Sequence, residues 1–197
     1  MVGERVFKRF SPEVDDPELV LLSKEKLNQQ KKLLVDGDTE YLTSNDIILA
    51  ALSESMLHKA KIQTQYVNLR PRLEELETTD AGNWLATVHM GAKATSDPNI
   101  VRQVTRNGKY YNSPWAGMSN IVRGKFAHNT NWAGMKRVLD DTAVHMPAKS
   151  FVRSRYASAA SSYFNTIFEY DNNNLWIMTN CKDVCNSNGL LMSICAQ

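Results

Sequence analysis

The segment from Thr43 to Met56 most constrains the fold, because it has the composition of a helix that needs protein on more than one side. It begins Thr-Ser-Asn-Asp and continues Ile-Ile-Leu-Ala-Ala-Leu with no further charge until Glu54. Thr43 or Ser44 can cap the first amides, and Asp46 would lie in the first turn, where a negative charge is favourable. A helix that is apolar on several sides is buried. We therefore predict an internal helix.

Length, charge and cysteine usage limit the remaining possibilities. The chain has 197 residues and a formal net charge of +2, so we expect residues 1–197 to form a single domain that does not bind nucleic acid. No apolar run approaches the roughly 18 residues that a membrane span needs. Cys181, Cys185 and Cys195 are an odd number clustered at one end, which predicts reduced thiols in an intracellular, reducing compartment. Cys181 and Cys185 have no companion pair, so we expect no metal site.

Local patterns predict strands mixed with helices. A helix from Ser23 to Leu34 would use Ser23 as its cap, with Leu27, Leu33 and Leu34 as an apolar edge. The tail predicts a hairpin, with strands over residues 164–170 and 175–180 and a turn between them. Other segments are assigned as strands over residues 6–10, 63–69, 84–90, 130–132 and 189–195, and as a helix over residues 99–106. These elements predict an α/β two-layer sandwich, a mixed and largely antiparallel sheet with helices on one face.

A buried ion pair is a further prediction. Asp46 opens the internal helix, and Arg70 ends the predicted strand two dozen residues later. If helix and strand pack together, the two charges would need each other, because an unpaired buried charge is costly. The alternative is that both side chains are exposed and independent.

Five short segments carry a family resemblance. In order and spacing they resemble the second lobe of HxxxD-type CoA-dependent acyltransferases, the superfamily of BAHD acyltransferases, wax-ester synthases and condensation domains. The segments are residues 5–10, 22–27, 43–46, 67–70 and 82–84. Residues 129–132 resemble the strand before the Asp-Phe-Gly-Trp-Gly loop of BAHD enzymes. That loop would fall at residues 141–147, where only Asp141 and Pro147 fit, so a divergent branch of the superfamily is the better match.

The resemblance implies a chloramphenicol-acetyltransferase-like lobe that lines a channel. It implies acyl-CoA as a substrate, no tightly bound cofactor, and acyl transfer to a hydroxyl or an amine. The catalytic histidine belongs to the family's first lobe, so no catalytic residue is assigned in this chain. The structural or channel-lining candidates are Asn45, Asp46, Arg70, Gly82, Asn83, Trp132 and His145.

The histidine motif itself is missing from the sequence. None of His58, His89, His128 and His145 has an aspartate four positions later. His89 lies in a predicted strand and could belong to the core or line the channel. Two hypotheses follow: an acyltransferase lobe that is inert alone, or a non-catalytic structural or binding subunit of a larger assembly. The first needs a catalytic N-terminal lobe or partner protein, and a homodimer would also cover the lobe's interface.

A third hypothesis makes the chain an unrelated enzyme. In that case Cys181 or Cys185 would be the nucleophile and His145 its base, a pairing supported only by the residue types.

Overall fold

A computed structural model describes residues 18–57, 60–68, 74, 85–107, 126–131, 133, 163–181, 184 and 189–196. The elements within these ranges are β1 (Glu18–Ser23), α1 (Lys24–Leu34), α2 (Ser44–Ser55), β2 (Ile62–Asn68), β3 (Leu85–Gly91), a 3-10 turn (Ala94–Ser96), α3 (Pro98–Asn107), β4 (Phe126–Asn131), β5 (Tyr163–Glu169), β6 (Asn174–Thr179) and α4 (Leu190–Ile194). Among these helices, none is long and apolar enough to cross a bilayer.

The six strands form one sheet in the order β1-β6-β5-β4-β2-β3. The pairs β1–β6, β6–β5 and β2–β3 are antiparallel, whereas β5–β4 and β4–β2 are parallel. The predicted fold class is confirmed: the sheet is mixed and largely antiparallel, and the four described helices pack on one side of it. We call this side the helix face and the opposite side the distal face.

Helix α2 lies at the centre of the helix face, as its composition predicts. Every residue from Asp46 to Ser53 is buried. Ile47 and Ile48 join the larger core cluster with β1, β5, β6, α1 and α4. Leu49 and Ala50 join a second cluster with β2, β3 and α3. The helix is thus surrounded on most sides, and the prediction of an internal helix is confirmed.

Helix α1 begins where the sequence predicts and buries a narrower face than expected. The Ser23 hydroxyl accepts a hydrogen bond from the Lys26 amide at 3.3 Å. Leu27 is fully buried and Leu34 packs against the core. Leu33, however, is 73% exposed, so its place on the apolar edge was wrong. Six residues after Leu27 it lies about 240° around the helix, whereas Leu34 returns to the buried side.

The β5–β6 hairpin matches the prediction. One Asp171 carboxylate oxygen accepts from the amides of Asn173 and Asn174, both at 2.7 Å, and so closes the turn between the strands. Lys24 also forms an ion pair with Glu169, which joins the start of α1 to the end of β5.

The predicted strand over residues 189–195 is wrong, because α4 occupies this segment. Leu191 and Ile194 are buried, a spacing of three that suits one face of a helix. The Glu54 carboxylate accepts from the Leu190 amide at 2.8 Å, which satisfies a donor in the first turn of the helix. Only Cys195 makes a bridge, to Leu22 of β1.

Strand β1 was not predicted from the sequence, because its short apolar run directly precedes the serine cap and the strong helix formers of α1. The strand predicted over residues 6–10 lies outside the described residues.

Candidate functional site

Asp46 is buried at the N-terminus of α2, where a carboxylate satisfies several donors. Its Oδ2 accepts from the Thr43 amide at 2.8 Å and from the Thr43 hydroxyl at 2.7 Å. In return, the Thr43 hydroxyl oxygen accepts from the Asp46 amide at 3.3 Å. This reciprocal arrangement is a capping box with aspartate in the place usually held by glutamate. Its contacts give Asp46 a structural role and leave the helix start rigidly defined.

Arg102 of α3 lies beside Asp46 and forms an ion pair with it. Its guanidinium nitrogen lies 3.9 Å from Asp46 Oδ2, and its carbon lies 4.2 Å from the centre of the Tyr41 ring. The predicted partner, Arg70, lies outside the described residues, so the Asp46–Arg70 pair stays a prediction. The sequence patterns did not predict Arg102 as a partner of Asp46. Arg102 directly follows Val101, which is buried on the face of α3 that packs near α2.

A small surface cleft of about 260 Å³ adjoins this ion pair. Its lining residues are Asp38, Thr39, Glu40, Tyr41, Arg102, Gln103 and Arg106. Arg106 lies 3.9 Å from Glu40 in an exposed ion pair. The two arginines therefore each have an acidic neighbour, which leaves little net charge to attract an anion.

Asn45 connects α2 to the sheet. The Asn131 side-chain amide donates to Asn45 Oδ1 at 2.9 Å, so the first turn of α2 is bonded to the last residue of β4. The candidate Trp132, the next residue along the chain, lies outside the described residues.

A row of buried polar side chains crosses the helix face beneath α2. Asn129 donates to Gln63 Oε1 at 2.5 Å, Asn165 donates to Asn129 Oδ1 at 2.8 Å, and the Thr179 hydroxyl donates to Asn165 Oδ1 at 2.6 Å. All four residues are at most 1% exposed. Asn165 also lies 3.6 Å from the sulfur of Met56. The row links β2, β4, β5 and β6, because each of its hydrogen bonds joins one strand to the next.

The distal face carries two histidines on either side of a threonine. Thr64 of β2 is directly opposite His89 of β3 and His128 of β4. The Thr64 hydroxyl lies 3.0 Å from His89 Nδ1. His128 stacks on Tyr66 with ring centroids 5.7 Å apart, and the Tyr66 hydroxyl lies 3.4 Å from His128 Nδ1. Strand alternation brings these side chains together, and no sequence motif predicts it.

Burial keeps these rings uncharged near neutral pH. It lowers the pKa of His128 from 6.5 to about 4, with a smaller contribution from the neighbouring His89. Burial likewise lowers the pKa of His89 and raises the pKa of the Tyr66 phenol. The group therefore consists of neutral side chains that contact one another through hydrogen bonds and ring stacking.

The remaining candidates from the sequence are not placed. Gly82, Asn83 and His145 lie outside the described residues, and so does Cys185. Cys181 is buried, 1% exposed, and its amide donates to the Thr179 hydroxyl oxygen at 3.0 Å. In the part of the chain that the structure describes, no three His, Cys, Asp or Glu side chains could together hold a metal ion.

No protein-family model matches the chain, and comparison with curated proteins finds no sequence match. Solved structures of CoA-dependent acyltransferases do resemble its fold. TRI101 from F. sporotrichioides, complexed with coenzyme A and T-2, gives a TM-score of 0.57 at 9% identity over 94% of this chain. TRI101 from F. graminearum, complexed with ethyl coenzyme A, gives 0.54 at 10% identity over 91%. Vinorine synthase gives 0.52 at 13% identity over 93%.

The chain spans about half the length of these structures. The matched region covers 52% of the first TRI101 chain, 49% of the second and 49% of vinorine synthase. At such low identities the likeness establishes the fold. The chain therefore has the mixed α/β fold found in about half of a CoA-dependent acyltransferase.

Proposed function

We propose that this chain is the C-terminal, channel-forming lobe of an acyltransferase that moves an acyl group from acyl-CoA to a hydroxyl or an amine. One observation carries the proposal: more than nine tenths of this chain aligns with about half of acyltransferases whose structures contain coenzyme A. The order of the short motifs in the sequence agrees with that match. We further propose that the chain is a divergent lobe of the HxxxD superfamily.

The residues around α2 support a scaffolding role. The Thr43–Asp46 capping box and the Asn45–Asn131 bond fix the start of α2 against β4. Both contacts are internal, and the Asp46 carboxylate is already satisfied by Thr43. We propose that Asn45, Asp46 and Arg70 hold the lobe in shape, and that Gly82, Asn83, Trp132 and His145 line or support the channel.

The proposed chemistry needs a base from elsewhere. The base would take the proton from the acceptor hydroxyl or amine while the oxygen or nitrogen attacks the thioester carbonyl carbon. The carbon–sulfur bond then breaks, and CoA leaves as a thiol once its sulfur has received a proton. We propose that a histidine in a His-x-x-x-Asp motif, on a catalytic N-terminal lobe or partner protein, supplies this base, and that this chain is inert alone.

The test is to isolate the native complex and identify its components by mass spectrometry. We expect a His-x-x-x-Asp segment on the same polypeptide or on a tightly bound one. The complex should release CoA thiol from acyl-CoA when an acceptor is present, and the 197-residue chain alone should not. Replacing the motif histidine with alanine in the complex is the matched control. A complex without such a segment, and without thiol release, would contradict the proposal.

A non-catalytic structural or binding subunit is the second candidate. Two exposed apolar side chains favour it: Leu19 of the edge strand β1 is 49% exposed, and Tyr170, which follows β5, is 50% exposed and stacks on Trp176 of β6 with ring centroids 4.5 Å apart. Such residues suit contact with another chain. The same mass-spectrometry experiment decides between the two candidates. A chain found among other chains that lack the motif, or a homodimer that releases no thiol, would favour the structural or binding subunit.

A further inference from the structure

The cleft between α3 and the α1–α2 loop has room for a small molecule. Its volume is about 260 Å³, whereas a cavity of roughly 150 Å³ is enough to bind benzene. Asn99 of α3 ties the two segments together, because its side chain donates to the Leu34 carbonyl oxygen at 2.8 Å and accepts from the Asp36 amide at 3.4 Å. The cleft is therefore a defined feature of the fold.

Two arginines of α3 line this cleft with hydrogen-bond donors that are not used. Arg102 and Arg106 are one helical turn apart and so lie on the same face of α3. Each lies 3.9 Å from an acidic side chain, which is too long for a hydrogen bond. Neither guanidinium donates a hydrogen bond to any group in the described ranges. Their N–H groups are therefore available to a planar acceptor such as a carboxylate.

Acidic groups of the α1–α2 loop line the same cleft. Asp38 is exposed, and its carboxylate forms no ion pair with any residue that the structure describes. Glu40 is 75% exposed and faces Arg106, itself 62% exposed, and such an exposed pair contributes little and can exchange. Thr39, between the two acids in the chain, is 8% exposed, and its hydroxyl has no described hydrogen-bond partner. The loop therefore adds unused acceptors to the unused donors of α3.

The balance of charges selects the class of ligand. Two guanidiniums and two carboxylates line the cleft, so its formal charges cancel. An anion bound to Arg106 would displace Glu40 and leave that carboxylate without a cation, and a cation bound to the two acids would lie close to both guanidiniums. A molecule with both charges avoids both costs, because its carboxylate accepts from the arginines and its ammonium donates to the acids.

We propose that this cleft binds a small zwitterion of the α-amino-acid class. Arg102 and Arg106 hold its carboxylate, and the loop carboxylates of Asp38 and Glu40 hold its ammonium. An α-amino acid carries the two charges on one carbon atom, so both reach their partners within a cleft of this size. The proposal concerns binding alone and does not rest on the proposed function.

The experiment is a titration of the full 197-residue chain at pH 7 with three probes of matched shape: L-norvaline, pentanoate and butylammonium. The ring resonances of Tyr41, which lines the cleft, and the backbone amides of α3 are followed by NMR. We expect norvaline to shift these resonances saturably. Each singly charged probe should bind at least about tenfold more weakly, because it pairs with only half of the site.

Two substitutions test the two halves of the site separately. Arg106→Gln should weaken norvaline binding by about tenfold and leave butylammonium binding unchanged or tighter. Asp38→Asn should weaken norvaline binding by a similar factor and leave pentanoate binding unchanged or tighter. Both residues are exposed, so we expect the melting temperatures to stay close to that of the wild type. Lys32→Gln is the matched control, because it removes an exposed positive charge that does not line the cleft.

Several outcomes would overturn the site. They are an absence of saturable shifts, binding of a singly charged probe as tight as that of norvaline, full norvaline binding by both variants, and an equal loss of binding in Lys32→Gln. If one variant fails to fold, the other decides. Because the titration needs no acyl transfer, its result is independent of thiol release from the native complex, and either proposal can fail while the other stands.

Discussion

Thr43 and Asp46 satisfy each other across the first turn of α2. The Thr43 hydroxyl and amide both donate to one Asp46 oxygen, at 2.7 and 2.8 Å, and the threonine oxygen accepts from the Asp46 amide. Because α2 is the helix around which both core clusters pack, this local motif positions a large part of the fold. The consequences of disturbing it can be measured directly.

Replacing Asp46 with alanine should lower the free energy of unfolding by about 2 kcal/mol, because it removes a cap and leaves buried donors unsatisfied. Urea denaturation followed by circular dichroism measures the change. Asp38→Ala is the control: Asp38 is exposed in the turn before α2, and its loss should cost less than about 0.5 kcal/mol. Equal effects of the two substitutions would show that the capping box has no special role.

Two double-mutant cycles can establish which arginine is the electrostatic partner of Asp46. The Asp46–Arg102 cycle should give a coupling of at most about 1 kcal/mol, because the charges are 3.9 Å apart and Arg102 remains partly exposed. If the predicted Asp46–Arg70 pair forms, its coupling should exceed that value, up to about 3 kcal/mol for a buried pair. A cycle with Arg70 that shows no coupling would reject that prediction.

Asn129 is the central link in the buried amide row, and Asn129→Leu should lower the free energy of unfolding by about 3 kcal/mol. The substitution removes the donor to Gln63 and the acceptor for Asn165, and both remaining amides are buried. Chemical denaturation checks it. Asn173→Ala, at an exposed position in the β5–β6 turn, should change stability by less than about 0.5 kcal/mol. A loss at Asn129 no greater than that control would mean that the row is dispensable.

The pH dependence of stability should report the neutral state of His128. Its pKa is about 4 in the folded chain against 6.5 as the ordinary value. Above pH 6.5 the imidazole is neutral in both states, so the stability is fully present. As the pH falls from 6.5 towards 4, the unfolded chain binds a proton that the folded chain does not, and up to about 3 kcal/mol is lost.

The measurement is a series of urea denaturations across that pH window, on the wild type and on His128→Gln. The variant should lose less stability than the wild type as the pH falls, whatever its stability at neutral pH, because glutamine does not titrate. Parallel profiles would contradict the assignment. His89→Gln is a useful companion, since burial lowers the pKa of His89 in the same direction.

The sequence by itself determined the elements whose signals are local. The cap and apolar run of α2, the serine cap of α1 and the aspartate-closed turn of the β5–β6 hairpin depend on residues only a few positions apart. Residues 189–195 show where local reasoning fails: an apolar run of that length suits a strand or a helix, and packing of Leu191 and Ile194 against the core selects the helix.

Only the tertiary structure decided which distant residues meet. Arg102 lies near Asp46 because α3 packs beside α2, and Thr64 lies between His89 and His128 because β2 pairs with β3 on one side and β4 on the other. Strand order and register arise from the burial of the whole sheet, so no local spacing in the chain encodes these contacts.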